Sequence, residues 1–307
     1  RRPPRSTRKE SSAASDVYKR QPFTTSTLQQ EASNKLGMSP NVVMKYAQRL
    51  YENGLITYHR TDSLMIADDA MKSIKEFITS TWYDKHYKET RYKTKSKNSQ
   101  EAHEACRPTN IKKFSVLSEA NIQYSENRLY QLIWKRTVGS QMTPAEFDRN
   151  TIIISSNDNK INFRASGSIV KFDGFLKVYQ VQETDEDSKN ILPEVKDGEE
   201  ISVLKLNDEQ HFTDPPPRYS EASLVKKMEE LGIGRPSTYA SIISVLSTRN
   251  YVELMNKRFH PTDRGKLISA FLEKLFSKYV DYNFTADLEN QLDEITSGKI
   301  EWVQVLN

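Results

Sequence analysis

Ser39-Pro40-Asn41-Val42-Val43-Met44-Lys45-Tyr46-Ala47-Gln48-Arg49-Leu50-Tyr51-Glu52-Asn53-Gly54-Leu55-Ile56-Thr57-Tyr58 encodes one helix and the strand expected to follow it. Ser39 offers an N-cap hydroxyl, and Pro40 sits in the first turn, where its missing N–H has no intrahelical partner to lose. Val43, Tyr46, Ala47 and Leu50 recur at helical spacing on one face, and Gly54 stops the helix before the β-prone Leu55-Ile56-Thr57-Tyr58. Toward the N-terminus, Thr25 or Ser26 is expected to cap an earlier helix carrying Leu28, Ala32 and Leu36, with Gly37 as its stop. The order is helix, turn, helix, strand.

The same order returns about 196 positions later. Ser220 caps a helix with Leu224, Val225, Met228 and Leu231, Gly232 ends it, Pro236 precedes a second helix with Ile242, Ile243 and Leu246, and Tyr251-Val252 reads as a strand. Leu28 and Leu224, Pro40 and Pro236, Leu50 and Leu246, and Ile56 and Val252 share one offset; Gly37 and Gly232 differ from it by one. Two winged-helix-like units are therefore expected. Such units often lay a helix against DNA, and many serve only as scaffolding, so the repeat favours nucleic acid without establishing it.

Between the repeats the pattern changes. Residues 151–155, 160–166, 175–182 and 201–206 are short, β-branched or alternating, and Asn, Asp, Gly and Ser separate them. The expected fold class is multidomain α+β: a tail at 1–21 that is disordered or an artefact, a helical domain at 22–140 carrying Tyr58, a β-rich segment at 141–212, and a second helical domain at 213–307, truncated at its C-terminus, for which the repeat favours DNA binding. In that last domain Leu267, Phe271, Leu275, Leu288, Leu292 and Ile295 are the expected core. The basic tail precedes Pro22 and the chain stops within an apolar run, so a piece of a longer protein is expected.

Composition narrows the class. Across 307 residues, 36% are apolar and 28% charged, and no apolar run reaches the ~18 residues of a membrane span. Cys106 is the single cysteine, which excludes an internal disulfide and a zinc site built on two thiolates. A reducing, cytoplasmic setting is expected. The formal charge of +4 is concentrated in residues 1–21, which carry +5, so the other 286 residues sum to −1 and net charge alone says nothing about DNA.

Three clusters bear chemistry. In Gly54-Leu-Ile-Thr-Tyr58-His59-Arg60-Thr61-Asp62-Ser63, strand alternation puts Tyr58 and Arg60 on one face, with Thr61 to Ser63 read as helix caps before Leu64. A phenol with pKa about 10 is a weak nucleophile at neutral pH. A fixed guanidinium favours phenolate and holds a phosphate through paired N–H donors, which suits attack on a phosphodiester. Taken alone, a strand tyrosine is an ordinary packed aromatic. The second cluster, Gln100 to Thr109, gathers His103, two carboxylates and Arg107 just after a basic tract that includes Lys95 and Lys97. That tract is either a solvated loop or a seat for a phosphate backbone. His103 and Cys106 alone are ordinary surface or packing residues. The third, Leu231-Gly232-Ile233-Gly234-Arg235-Pro236-Ser237-Thr238-Tyr239, is either a phosphate seat at a helix N-terminus or a plain turn and cap. It is no dinucleotide fingerprint, since no strand precedes it and the glycine spacing differs.

In combination these segments resemble the type IA DNA topoisomerases, specifically the bacterial topoisomerase I branch, across 22–307. Tyr58-x-Arg60-Thr-Asp-Ser is the strongest motif, joined by Pro22 to Ala32, Ala102 to Thr109, Arg218 to Val252, and Phe284 to Asp293. The resemblance implies that Tyr58 becomes joined to a 5′-phosphate of one DNA strand, that Arg60 stabilises the developing charge, and that His103 lies close by. It implies that Arg235, Ser237 and Thr238, together with Arg107, Lys95 and Lys97, contact DNA. It implies strand passage and relaxation of negative supercoils by a monomer, on single-stranded or negatively supercoiled DNA near the nucleoid, without ATP, through an arch that includes 141–212. Cys106 and Asn110 depart from the family pattern, where an aliphatic residue and Asp are usual. No metal ligand is expected within the chain: in the family an N-terminal acidic domain binds Mg²⁺, and neither its Asp-x-Asp motif nor the zinc-bearing C-terminal region occurs here. The chain alone is therefore expected to bind single-stranded DNA weakly and not to relax supercoils. The competing reading is a non-catalytic single-stranded DNA-binding protein built from winged-helix-like units.

Overall fold

A computed structural model describes residues 5–9, 21–93, 103–119, 121–156, 160–179 and 195–306. Lys95 and Lys97 lie outside them. The chain divides into two compact units, one built from residues 1–20, 78–88 and 138–215 and the other from 21–77, 89–137 and 216–307.

The first unit is organised on a three-stranded antiparallel sheet, β1 (Arg5–Lys9), β2 (Glu146–Ser155) and β3 (Asn162–Phe172), in that order. The Ile152-Ile153-Ile154 run and its alternating partner give β2 and β3 their register, from Ser155 against Asn162 to Glu146 against Phe172, with a bulge at Glu146/Phe147. The expectation that 1–21 carries no structure is corrected for Arg5–Lys9, which pairs with Thr151–Ser155. A main-chain ladder needs no apolar side chains, so a composition that cannot build a core can still add a strand. Two expected strands, at 175–182 and 201–206, do not form among the described residues. Residues 174–177 make a 3-10 turn, and 201–206 form no strand, with 202–206 exposed and Leu204 96% exposed. An alternating pattern makes a strand only where a partner edge is available.

The second unit contains both halves of the repeat. α1 (Thr25–Leu36) and α2 (Pro40–Glu52) form the first pair; α5 (Glu221–Leu231) and α6 (Tyr239–Thr248) form the second. Between them run α3 (Asp68–Trp82) and α4 (Tyr124–Ser140), which begin in this unit. The caps match across the repeat. Thr24 and Ser220 are N-caps closing reciprocal capping boxes with Thr27 and Ser223, and Gly37 and Gly232 end the helices at φ 68° and 72°. The N-cap is thus Thr24, not Thr25 or Ser26. α1 packs on α5 and α2 on α6, and Ser26 donates to Glu229 across the first of these contacts (2.7 Å). After α6 comes the antiparallel hairpin β4 (Val252–Met255) and β5 (Arg258–Pro261). The first pair has no such hairpin, and its expected strand shrinks to one bridge, Ile56 with Pro108.

Phe23, Leu28, Val43, Ala47, Leu50, Ile56, Leu129 and Ile133 are buried here. Arg136 of α4 ties the start of the fold down: it donates to Gln21 O (2.5 Å), pairs with buried Glu31 (2.7 Å) and stacks over Phe23 (4.5 Å). Arg49 of α2 pairs with fully buried Glu126 of α4 (2.6 Å). These buried pairs hold the helices in one arrangement, because removing one partner leaves the other charge uncompensated.

The last stretch is helical as expected, with α7 (Asp263–Leu275), α8 (Ser277–Val280), α9 (Tyr282–Thr296) and α10 (Trp302–Leu306). Its expected core is corrected. Leu267 is 72% exposed, Phe271, Leu275, Leu288 and Leu292 are exposed, and Ile295 is half-buried. Helical periodicity identifies an apolar face and does not show what covers it. No helix of the described residues is long and apolar enough to cross a membrane.

Candidate active site

The segment carrying Tyr58 is held from two sides. On one side Thr57 N donates to Arg107 O (2.9 Å), Thr109 N to Leu55 O (3.0 Å) and Ala105 N to Met65 O (2.8 Å), while the Thr57 hydroxyl bonds Ala105 O and receives Arg107 N. On the other, Thr25 N donates to Thr61 O, the Thr25 hydroxyl donates to His59 O (2.7 Å), and Thr61 N donates back to that hydroxyl (2.8 Å). Thr61 and Ser63 do not cap a helix. Their hydroxyls accept from Ser63 N and Met65 N in successive tight turns, and α3 starts only at Asp68.

Held this way, the segment alternates without being a strand: Tyr58 and Arg60 are exposed, while His59, Thr61 and Ser63 are buried. Tyr58 is 37% exposed, and its ring lies 5.5 Å from that of His103 and 5.4 Å from that of Tyr51, centroid to centroid. The 103–109 segment that clamps Thr57 is the one that delivers His103. The Arg60 guanidinium enters no ion pair among the described residues. His59, beneath, has both ring nitrogens unpartnered; burial, helped by the Arg60 charge, pushes its pKa down to about 4, so the ring is neutral at pH 7.

Asp62 joins this segment to the second repeat. It is half-buried, and desolvation raises its pKa against the favourable pull of His103 and Arg235 and with the repulsion of Asp293. The Gly232–Tyr239 turn therefore lies within electrostatic reach of the Tyr58 segment. In that turn Gly234 N is bonded to Glu289 (3.0 Å), Arg235 N to the Thr238 hydroxyl (2.8 Å), and Thr238 N and Tyr239 N to Arg235 O. Ser237 is exposed, and Pro236 has no N–H to offer. Of the two readings of this turn, a phosphate seat or a plain turn and cap, these amides fit the second: they are occupied within the protein. Arg107 is also engaged: it pairs with Glu104 (2.5 Å), donates to Pro108 O, and is 14% exposed. Cys106 is a packing residue, fully buried, with its thiol pushed up to about 12 by burial.

The DNA topoisomerase family model matches residues 6–307. The chain belongs to the type IA DNA topoisomerase family. It is 48% identical over 298 residues to DNA topoisomerase 1 of Rickettsia felis, covering 93% of this chain and 38% of that protein. Against DNA topoisomerase 1 of Zymomonas mobilis the identity is 47%, over 93% of this chain and 24% of the relative. Full-length topoisomerase I of Thermotoga maritima superposes with a TM-score of 0.85 and 36% identity over 99% of this chain and 51% of that one. The chain thus spans 38% and 24% of the length of the Rickettsia felis and Zymomonas mobilis relatives and about half of the Thermotoga maritima chain.

Within this chain the structure sets the Tyr58 ring against that of His103, with Arg60 exposed two residues further on. It places Ser237 and Thr238 at the start of α6, and it keeps Arg107 and Arg235 on protein acceptors. Sequence reasoning missed Thr25 as the support of the loop, and it missed Glu289 and Asp293. The resemblance implies Mg²⁺, but among the described residues no group of three or more His, Cys, Asp or Glu is placed to hold a metal. Glu289 and Asp293 are answered by Arg235 and Glu104 by Arg107, so this chain's residues do not fit the ion and no step below runs through it.

Proposed function

We propose that this chain carries the strand-cleaving nucleophile of a type IA topoisomerase. The Tyr58 oxygen attacks a DNA phosphorus; the Tyr58 O–P bond forms as the bond from phosphorus to the 3′-oxygen breaks, leaving a 5′-phosphotyrosine. The phenol loses its proton and the departing 3′-oxygen gains one; religation is the reverse. The new ester keeps the energy of the old one, so ATP is not required. Arg60 faces solvent with its donors available to the phosphate as charge builds, and His103 beside the phenol is placed to move a proton or to hold the ring. The α5–α6–β4–β5 element serves as a winged-helix-like DNA unit, with Ser237 and Thr238 at its edge. Lys95 and Lys97 follow the backbone, Arg107 orders the 103–109 segment, and the β-rich 141–212 segment belongs to the arch through which a second strand passes.

The observation that carries this reading is the exposed Tyr58 phenol against His103, with an unpaired guanidinium two residues on. The test is a denaturation-resistant adduct on a single-stranded oligonucleotide, formed by the chain joined to the metal-binding domain that the resemblance implies. Wild type should give the adduct and Tyr58→Phe none. Equal adduct from both would remove Tyr58 from the reaction; oligonucleotide binding without adduct in either would favour the non-catalytic binder.

A further inference from the structure

Arginine 235 has five N–H donors, and the protein occupies all three of its nitrogens. Nε and Nη2 both reach Asp293 Oδ2 (3.1 and 2.8 Å), and Nη2 also faces Asn290 Oδ1 (3.4 Å). Nη1 donates to Gly234 O (2.8 Å) and Gly232 O (3.1 Å) and lies 3.2 Å from Glu289. The second Glu289 oxygen accepts Gly234 N (3.0 Å), so this carboxylate holds both the guanidinium and the main chain of the turn. Glu289 and Asp293 stand four residues apart on α9, a spacing at which like charges repel and weaken a helix unless a cation lies between them. Arg235 is that cation.

Electrostatics point the same way. Arg235 and Asp293 both act electrostatically on Asp62, and the two carboxylates paired with the guanidinium make it a poor host for a further anion. Under the turn, Gly234 at φ +81° leaves space that a Cβ would take from the Tyr239 ring (3.1 Å). Tyr239 is buried and feels Asp62, Glu289 and Arg235. A planar fork in this place fixes the turn, the first residue of α6 and the flank of Asp62 together.

We propose that Arg235 is a positioning residue: clasped by Glu289 and Asp293, it fastens the 232–239 turn of the second repeat beside Asp62 of the Tyr58 segment, and it does not itself bind phosphate. The inference rests on the DNA-cleaving reading for its purpose, though the clasp is testable without it.

Two measurements on the 307-residue chain decide. The first is amide hydrogen exchange without DNA. Asp293→Asn and Glu289→Gln should each speed exchange at 232–239 by about tenfold, the equivalent of about 1.4 kcal/mol, with other helices unchanged. The second is anisotropy of a labelled oligothymidylate across salt concentrations. Arg235→Gln and Arg235→Lys should weaken binding alike, Arg235→Gln with Asp293→Asn should be no worse than either single change, and the salt slope should stay at the wild-type value. If Arg235 is instead a phosphate ligand, Asp293→Asn tightens binding, Arg235→Lys keeps it, and Arg235→Gln flattens the slope by about 0.7; that pattern overturns the proposal, as does unchanged exchange at 232–239. A wild-type chain that binds no oligothymidylate sinks the DNA reading while leaving the exchange result to judge the clasp.

Discussion

The two helix pairs begin alike and end differently. Thr24 and Ser220 close the same capping box, Gly37 and Gly232 end α1 and α5 in the same left-handed conformation, and the pairs pack on each other helix for helix. After α2 the chain turns into a clamped, alternating loop with Tyr58 and Arg60 outward; after α6 it makes a hairpin. Each repeat has one conspicuous arginine, and their fates are opposite. Arg60 has no ion-pair partner among the described residues, whereas Arg235 is held by two carboxylates and two carbonyls. The residue type does not separate the two arginines; tracing where their donors go does.

The largest effect that tests this contrast comes from exchanging fork for point charge at each arginine. Arg60→Lys should lower adduct formation about a hundredfold, the scale of losing one transition-state donor, with melting temperature unchanged. Arg235→Lys should instead loosen the 232–239 turn and lower stability. If both variants lost adduct equally with no change in stability, the arginines would share one role and the contrast would collapse.

Next is the support of the Tyr58 loop. Thr25→Val keeps the shape and removes the hydroxyl that serves His59 O and Thr61 N, leaving both buried and unpaired. At about 1–3 kcal/mol per orphaned group, urea unfolding should show a loss of about 2–4 kcal/mol, with adduct formation falling in step. The matching position of the second repeat is Glu221, which serves no loop of this kind, so Glu221→Gln should leave both readouts nearly unchanged.

How much of this was legible follows from the range of each signal. The caps at Ser39 and Ser220, the glycine stops and the 196-residue echo are readable, as is the outward pairing of Tyr58 with Arg60. The α1 cap, by contrast, falls one residue earlier, at Thr24, and Thr61 and Ser63 cap no helix, because a hydroxyl can serve a tight turn as well as a helix end. Its neighbour across the clamp, His103, came from family resemblance and from no spacing rule. Thr25, Glu289 and Asp293 were not readable, because Thr25 acts 34 to 36 residues away and the two carboxylates act 54 to 58 residues from the turn they hold. The amphipathic period of α7 and α9 was read correctly as helix and wrongly as core, because periodicity gives a face and no cover. The 201–206 run failed as a strand for a similar reason: alternation supplies one edge and never its partner.

A third effect isolates the first repeat by pH. His59 is buried and neutral, and its counterpart by offset, Met255, is exposed and does not titrate. Folded His59 has its pKa near 4 against an unfolded value of 6.5. The unfolded chain therefore binds more protons between those values, and stability must fall as pH drops through 6.5 toward 4. The loss should be on the order of 2–3 kcal/mol at pH 4. Melting curves of wild type and His59→Phe across that window should diverge; parallel curves would mean that the ring is not buried in solution.

The smallest effect separates the turn of the second repeat from the helix stops of both. Gly37, Gly232 and Gly234 all have positive φ, so alanine at any of them costs roughly 1 kcal/mol in backbone conformation alone. Around Gly37 a Cβ meets nothing within 4 Å, and at Gly232 it makes an ordinary 3.6 Å contact with Ala286. At Gly234 it lies 3.1 and 3.2 Å from the Tyr239 ring and 3.3 Å from Ile242, so a ring already packed beneath the Arg235 clasp must shift. Gly37→Ala and Gly232→Ala should therefore destabilise equally, and Gly234→Ala by about 1 kcal/mol more, with faster exchange at 234–239. Equal losses at all three would show that Tyr239 yields freely and that the turn is held less tightly than its hydrogen bonds require.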